Sequence, residues 1–273
     1  MPQRYGMIAG NGRFPILALE AAARLGIDVV TIAIEEEASP ELQALSRKYY
    51  AISLGALSRL IEICQNEGIR QLMMCGQVKH VKIFSSIRPD WRLFKLLASL
   101  REKNTDALIG GVAKVLADEG IQLVDSTLLL KDLLAPEGVF TKRKPDSEEQ
   151  KQLRYGRSIA EALAGFDIGQ SVVISDRACV ALEAMEGTDA ILRRAHELTG
   201  GKPQLLVKSS RRRKHLLFDV PVLGPATMEV MRETNTVAAT MDAGRTLLLD
   251  RDEMLEKANR YGISLTGIPV ASD

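Results

Sequence analysis

The sequence predicts an α/β protein that opens with a Rossmann-like, N-terminal parallel sheet and continues into a second, C-terminal α/β domain. Three observations carry this. Residues 4–34 run apolar strand, glycine turn, helix, strand. Residues 136–149 break the pattern with two prolines, Gly138 and mostly charged side chains. Beyond them, Gln170 to Asp189 starts as an apolar strand and then carries four acids, Asp176, Glu183, Glu186 and Asp189.

Arg4 to Ala9 is the first strand. Gly10-Asn11-Gly12 turns the chain into a helical pattern from Ile16 to Leu25, where Pro15 suits the first turn because its missing N–H is not needed there. Gly26 ends the helix and Asp28 to Ile34 is the next strand. Tyr49 to Leu54 and Gln71 to Cys75 read as strands with a helix, Leu57 to Asn66, between them. Helices follow at Trp91 to Leu100 and Asp106 to Asp118, the second capped by Asn104 or Thr105. Ile121 to Asp125 is a strand and Leu128 to Leu134 a short helix. This domain is expected over residues 1–135, the stretch 136–149 is its linker, and residues 150–273 form the second domain.

The second domain is entered through an amphipathic helix, Glu148 to Ala164. Ser171 to Ser175 and Gln204 to Ser209 are strands, and a helix opens at Gly224-Pro225-Ala226-Thr227. Thr236 to Met241 and Arg245 to Asp250 are further strands, Asp252 to Tyr261 is the last helix and Ile263 to Thr266 the last strand.

Composition excludes several classes. The 273 residues are 46% hydrophobic and 26% charged, enough to bury a real core. A net charge of +1 argues against a general nucleic-acid binder, although Arg211-Arg212-Arg213-Lys214-His215 is a local basic cluster. Cys64, Cys75 and Cys179 are odd in number and widely spaced, so no zinc pattern or disulfide framework is visible, which fits a reducing cytoplasm. No leader segment is expected ahead of the first strand, and no apolar run approaches the roughly 20 residues of a membrane span. With only His80, His196 and His215, the metal-binding motifs of histidine-rich hydrolases are absent, as are a G-x-S-x-G elbow and a Walker-type phosphate loop.

Candidate site residues follow from position and chemistry. Acids folded beside apolar strands are costly unless paired, and metal or phosphate chemistry is a common reason to keep them. In the central stretch Glu186-Gly187-Thr188-Asp189 opens a helix, with Thr188 or Asp189 as an alternative N-cap. Gly10-x-Gly12 supplies two of the three glycines of a dinucleotide fingerprint, with Pro15 at the third position and Glu35 as the ribose acid. It is either a tight turn without a ligand or a phosphate cradle made of backbone N–H groups. Gln77 and Lys79 lie just past a strand's C-terminal end, where ligands of open α/β sheets sit; the plain alternative for Lys79 is a solvated lysine. Asp219, between Phe218 and Val220 with Pro221 fixing the next backbone, is either partnered by a metal or base or makes a turn hydrogen bond.

Together these pieces resemble a known family, the LpxI-type UDP-2,3-diacylglucosamine pyrophosphatases of lipid A biosynthesis. The resemblance rests on residues 6–15 (GMIAGNGRFP), 75–78 (CGQV), 167–173 (DIGQSVV), 184–190 (AMEGTDA) and 218–221 (FDVP), with Gly224 and Thr227, in the family's order along nearly the whole chain. It implies an N-terminal Rossmann-like domain and a C-terminal domain of mixed α/β type. It also implies Mg²⁺-dependent cleavage of UDP-diacylglucosamine to UMP and 2,3-diacylglucosamine 1-phosphate, with the family's essential aspartate at Asp219. Asp219, Glu186 and Asp189 are the expected catalytic carboxylates and metal ligands. Gly10, Asn11, Gly12, Gln77 and Lys79, with Gln170, Thr188, Lys208 and Thr227, are the expected substrate contacts. One departure stands out: where the family tends to carry a polar Gln-Asp-x-Arg type run before the aspartate, this chain has Lys214-His215-Leu216-Leu217, which leaves Arg211 to Arg213 to meet the phosphates or an anionic membrane surface.

The chemistry suits these residue types. A pyrophosphate needs its charge neutralised and a water oriented, and carboxylates can hold one or two Mg²⁺ for both purposes. Two other functions stay open at this point, an NAD-linked oxidoreductase on the strength of Gly10-x-Gly12 and Glu35, and a non-catalytic nucleotide-sugar-binding protein. A cytoplasmic protein is expected, with a peripheral place on the inner membrane left open, with no nucleic-acid partner and with a homodimer as one open oligomeric state.

Overall fold

The computed structural model describes residues 4–78, 88–100, 105–210 and 216–270. Lys79, Asn104 and the basic cluster 211–215 lie outside the described residues. The chain divides into two compact units, residues 1–130 with 215–219, and residues 131–214 with 220–273.

Unit 1 is a five-stranded sheet in the order β3-β2-β1-β4-β5, built from β1 (Arg4–Ala9), β2 (Asp28–Ile34), β3 (Lys48–Ile52), β4 (Gln71–Cys75) and β5 (Gln122–Leu123). Every pairing is parallel, with Ile8 opposite Ile32 and Met74 in register. The helices α1 (Phe14–Leu25), α2 (Glu41–Leu45), α3 (Leu57–Asn66), α4 (Trp91–Ser99) and α5 (Thr105–Asp118) join the strands. Val30, Ile32, Leu72 and Leu116 are fully buried between sheet and helices; burying each side chain of this size is worth about 1.5–3 kcal/mol. The reversal of strand order at β1 and β4 is the switch point expected of a Rossmann-like sheet. At the opposite, N-terminal edge the buried Glu67 accepts hydrogen bonds from Arg4 (3.1 Å) and Tyr50, and pairs with Lys48 at 2.6 Å.

Unit 2 holds a six-stranded mixed sheet in the order β6-β13-β11-β9-β7-β8. Its strands are β6 (Gly138–Val139), β7 (Ser171–Ser175), β8 (Ala178–Leu182), β9 (Gln204–Lys208), β11 (Thr236–Asp242) and β13 (Ser264–Ile268). The three central strands β9, β11 and β13 are parallel, and β6 and β7 run against them. A separate two-residue ladder joins β10 (Val222–Leu223) to β12 (Leu247–Leu248).

Both faces of this sheet are covered. On one, α6 (Ser147–Gly165) packs Leu153, Ala160 and Leu163 on Val172, Ile174 and Val207. Gly156 permits that approach, since a Cβ there would meet Ile174 and Val207 side chains at 2.8 Å. On the other, α7 (Thr188–Leu198), α8 (Pro225–Glu233) and α9 (Arg251–Arg260) bring Ile191, Met228 and Met254 onto Leu206, Ala239 and Leu265. The expected mixed C-terminal domain is therefore what the chain forms.

Several elements differ from the expectation. Residues 136–149 belong to unit 2. Gly138 and Val139 pair with Gly267 and Thr266, and Asp146 caps α6 in a reciprocal capping box with Glu149. The region around Leu128–Leu134 holds only a 3-10 turn at Lys131–Leu133, and the Arg245–Asp250 strand shrinks to Leu247–Leu248. Neither Thr188 nor Asp189 is the cap of α7; Gly187 is, at φ 86. Asp219, flanked by Phe218 and Val220, lies on no strand. It is exposed, in a loop, at φ 55, a left-handed position that Asp tolerates better than most residues.

Candidate active site

The parallel strands of unit 2 end at Lys208 and Asp242, and two helices begin beside those ends. β9 finishes with a lysine whose residue is only 5% exposed. Its ammonium donates to the hydroxyls of Thr188 (2.8 Å) and Ser171 (3.2 Å). The Thr188 hydroxyl in turn donates to Glu183 Oε1 at 3.2 Å, and Glu183 Oε2 accepts from the Gln170 amide at 3.3 Å. The cation is thus linked to a buried carboxylate through one hydroxyl. Two hydroxyls are its hydrogen-bond partners among the described residues, and an ammonium has three protons to place.

Local sequence explains the cluster. Gly169 packs so closely on the Glu183 carbonyl that an added Cβ would sit 2.1 Å from it, which fixes Gln170 and Ser171 beside Glu183. The Glu183 amide also donates to the Ser171 carbonyl at 2.9 Å. Gly187 turns the chain with a positive φ, so that Thr188 becomes the first residue of α7 and points its hydroxyl at Lys208. Thr227, in the first turn of α8, donates to Asp189 Oδ1 at 3.0 Å, which ties the starts of α7 and α8 together. Neither helix has a side-chain cap. Their first-turn N–H groups and the positive ends of their dipoles, beside a buried ammonium, make an edge suited to an anion.

A second buried network lies at the same strand ends. Asp242, 1% exposed, pairs with Arg157 and accepts from the amide (2.7 Å) and hydroxyl (2.6 Å) of Ser210. Arg245 Nε donates to the same hydroxyl at 2.8 Å. Arg157 and Asp242 carry no local signal in the sequence, since one lies in an amphipathic helix and the other ends an apolar strand. Ser171 and Glu183 lie inside the stretch Gln170 to Asp189 but are not among the site residues expected from it.

Glu186 and Asp189 are close in sequence but differently engaged. Glu186 Oε2 accepts from the Ala184 amide at 2.9 Å and Oε1 from Arg194 at 2.9 Å. Its own backbone amide, the Ala184 amide and the Arg194 guanidinium hold this carboxyl below the ordinary glutamate value. Asp176 stands on an exposed turn and pairs with Lys202 at 3.0 Å, outside the polar cluster. Among the described residues, no group of three or more His, Cys, Asp or Glu side chains is placed to hold a metal ion.

In unit 1 the glycine turn closes onto the neighbouring strand. The amides of Gly10 and Asn11 donate to the carbonyls of Cys75 and Gln77, each at 2.8 Å, and the Gln77 amide returns to Asn11 at 3.0 Å. A Cβ on Gly10 would meet the Gln77 carbonyl at 2.6 Å, and one on Gly76 the Asn11 carbonyl at the same distance. Two amides expected to face a phosphate thus hold the switch point together. The side chains of Asn11 and Gln77 are exposed there, Gly12 faces open space at φ 95, and Glu35 is exposed at the end of β2.

Fold and edge together define a two-unit α/β protein of the Rossmann-like kind, with an anion-suited strand edge in its second unit. The chain belongs to the LpxI family: the LpxI N-terminal domain matches residues 4–133 and the LpxI C-terminal domain residues 136–266. A relative from Caulobacter vibrioides, the UDP-2,3-diacylglucosamine pyrophosphatase LpxI, is 26% identical over 276 residues, covering 97% of this chain and 98% of that protein. Among solved structures, CobK precorrin-6A reductase is 12% identical over 99% of this chain and 89% of its own, with a TM-score of 0.33. The biotin carboxylase domain of the Hydrogenobacter thermophilus 2-oxoglutarate carboxylase is 12% identical, covering 72% of this chain and 41% of that one, with a TM-score of 0.29. Among the described residues no helix is long and apolar enough to cross a membrane.

Proposed function

We propose that this chain hydrolyses the pyrophosphate bond of UDP-2,3-diacylglucosamine, giving UMP and 2,3-diacylglucosamine 1-phosphate in lipid A synthesis. Membership of the LpxI family supports the substrate. The observation that carries the chemistry is the buried Lys208 between the Ser171 and Thr188 hydroxyls, under two helix starts. In the reaction a water oxygen attacks one phosphorus, the bond from that phosphorus to the bridging oxygen breaks, and the bridging oxygen leaves on the other phosphate. Negative charge grows on the attacked phosphoryl group and on the departing oxygen, so fixed donors aimed at them lower the barrier. Lys208 neutralises a phosphoryl oxygen, while the amides opening α7 and the Thr227 hydroxyl orient the group.

Mg²⁺ is the proposed cofactor; Asp219, Glu186 and Asp189 are the candidate carboxylates, and since these three are not grouped to share one ion, one or two of them would hold it beside substrate phosphates. Mg²⁺ keeps several waters and needs only one or two carboxylates beside substrate phosphates, so the oxygen donors of this chain fit it without a three-residue cage. Asp219, at the position of the family's essential aspartate, is the first ligand to test. When bound, the ion supplies charge neutralisation and a more acidic water. Phosphorus NMR of the purified protein with UDP-2,3-diacylglucosamine and Mg²⁺ tests the proposal. Two monophosphate signals should replace the pyrophosphate pair, and chelator should stop the change. An unchanged pyrophosphate spectrum over extended incubation would leave binding without hydrolysis as the function.

A further inference from the structure

The helix α4 carries apolar side chains on two faces, and only one of them meets the core. Leu93, Leu96, Leu97 and Leu100 recur at i, i+3, i+4 and i+7 and pack on the unit 1 core. Trp91 and Phe94 fall outside that stripe. They are 74% and 53% exposed and stack on each other with centroids 5.9 Å apart. The helix cannot roll to bury them. Asp90 caps it, accepting from the Leu93 amide at 2.9 Å and from the Ser58 amide of α3 at 2.6 Å. Arg92 is tethered to Glu119.

The acids beside the pair are already engaged, Asp90 by the Ser58 and Leu93 amides and Glu119 by Arg92, and the charges left over have one sign. Arg88 and Lys95 are exposed beside it and have no acidic partner among the described residues, and α4 contains no acid. Stacked aromatics flanked by free cations match the headgroup zone of an anionic bilayer, where rings enter the interface and cations meet lipid phosphates. We propose that the outward face of α4 (Trp91, Phe94, Arg88 and Lys95) docks this protein on anionic membrane surfaces. The inference rests on and deepens the proposed function, whose substrate carries two acyl chains, but its test does not depend on turnover.

Trp91 is the one tryptophan of the chain, so the native protein reports on itself. Its emission should shift to the blue on titration with phosphatidylglycerol vesicles and be quenched by brominated acyl chains. Phosphatidylcholine vesicles should do neither, and salt should weaken the effect. Trp91→Ala/Phe94→Ala and, separately, Arg88→Gln/Lys95→Gln should each lower co-sedimentation with the anionic vesicles about tenfold or more. Far-ultraviolet dichroism of each variant confirms that the fold is kept. An emission maximum indifferent to anionic vesicles overturns the proposal, as does equal binding to both lipids. A blue shift that grows with protein concentration in the absence of vesicles overturns it in favour of a second copy on this face. Should the NMR assay show no hydrolysis while anionic vesicles still shift Trp91, the docking surface stands and the enzymatic proposal falls.

Discussion

The two units each present the C-terminal ends of parallel strands, and they finish them in opposite ways. In unit 1 the edge is closed by backbone: Gly10 and Asn11 exchange hydrogen bonds with Cys75 and Gln77, and glycines stand where two chains touch. In unit 2 the edge is furnished by side chains: Lys208, Ser171, Thr188, Glu183 and Asp242 are held in place from several elements. The difference teaches that a glycine-rich turn after the first strand is not in itself a ligand cradle. Its glycines serve contact between two segments, while in unit 2 a buried cation, hydroxyls and helix starts are gathered from separate elements with little sequence signature.

The largest expected effect falls on the residue that cuts across this contrast. Asp219 is the one proposed catalytic carboxylate grouped with unit 1. Asp219→Ala should lower turnover roughly a hundredfold or more, about 3 kcal/mol of lost transition-state stabilisation, with substrate still bound. A folded variant keeping more than about a tenth of wild-type turnover would move the chemistry wholly to unit 2.

Next comes Lys208→Met. It removes the buried cation and keeps most of the volume. We expect KM to rise about tenfold or more, since a charge-assisted contact is worth about 1.5–3 kcal/mol. The melting temperature should fall as well, because the change leaves the buried Glu183 carboxylate and two hydroxyls without their cation. A variant that loses melting temperature while KM holds would make the lysine purely structural and erase the contrast.

The third effect concerns stability in unit 1. Gly10→Ala places a Cβ 2.6 Å from a backbone carbonyl that cannot step aside, so a loss of about 2–3 kcal/mol is expected by chemical denaturation. Gly12→Ala meets nothing within 4 Å and pays only for its φ of 95, about 1 kcal/mol. Substrate affinity of the folded Gly12 variant sharpens the comparison, for a weakened KM there would give the unit 1 turn a ligand after all.

The smallest effect is on pH dependence. Glu186 is held below the ordinary glutamate value, first by its own backbone amide. Its stabilising contribution is therefore full above the unfolded value of about 4.3 and fades as pH falls through the lower folded value. Melting curves of wild type and Glu186→Gln should differ modestly at neutral pH and converge below about pH 4. Curves that stay parallel down to acid pH would show that the carboxylate is not poised by its partners.

The parallel half of the fold was legible because glycines and prolines punctuate it: Gly26 ends α1 and Pro15 starts it. β8 was not, for a physical reason. β7 and β8 are joined by Asp176 and Arg177, both at positive φ (51 and 65), a two-residue hairpin turn that usually advertises itself with Asn-Gly. Without glycine there, residues 178–182 carry no strand signal in the sequence. In the candidate site, Lys208 and Thr188 were legible as polar residues ending a strand and opening a helix. Ser171 and Glu183 meet them only because Gly169 lets two segments touch, and a contact between distant segments leaves no local period in sequence. The aromatic face of α4 was present all along as two rings out of phase with the leucines, a pattern hidden inside one helical run.

The segment that ends at Asp219 has a consequence for dissecting the molecule. Ser126, just past β5, donates its amide to the Leu216 carbonyl at 2.9 Å and its hydroxyl to the Leu217 carbonyl at 2.7 Å, and Leu216 returns a bond to Asp125 at 3.3 Å. A gene fragment stopping at residue 130 would therefore shed a strip that its own last strand depends on, and one starting at 131 would carry that strip without its anchor. Each unit is compact, yet neither is one continuous stretch of chain. A circular permutant or a split protein that keeps 216–217 with the first half is the form in which either half stands a chance of folding alone.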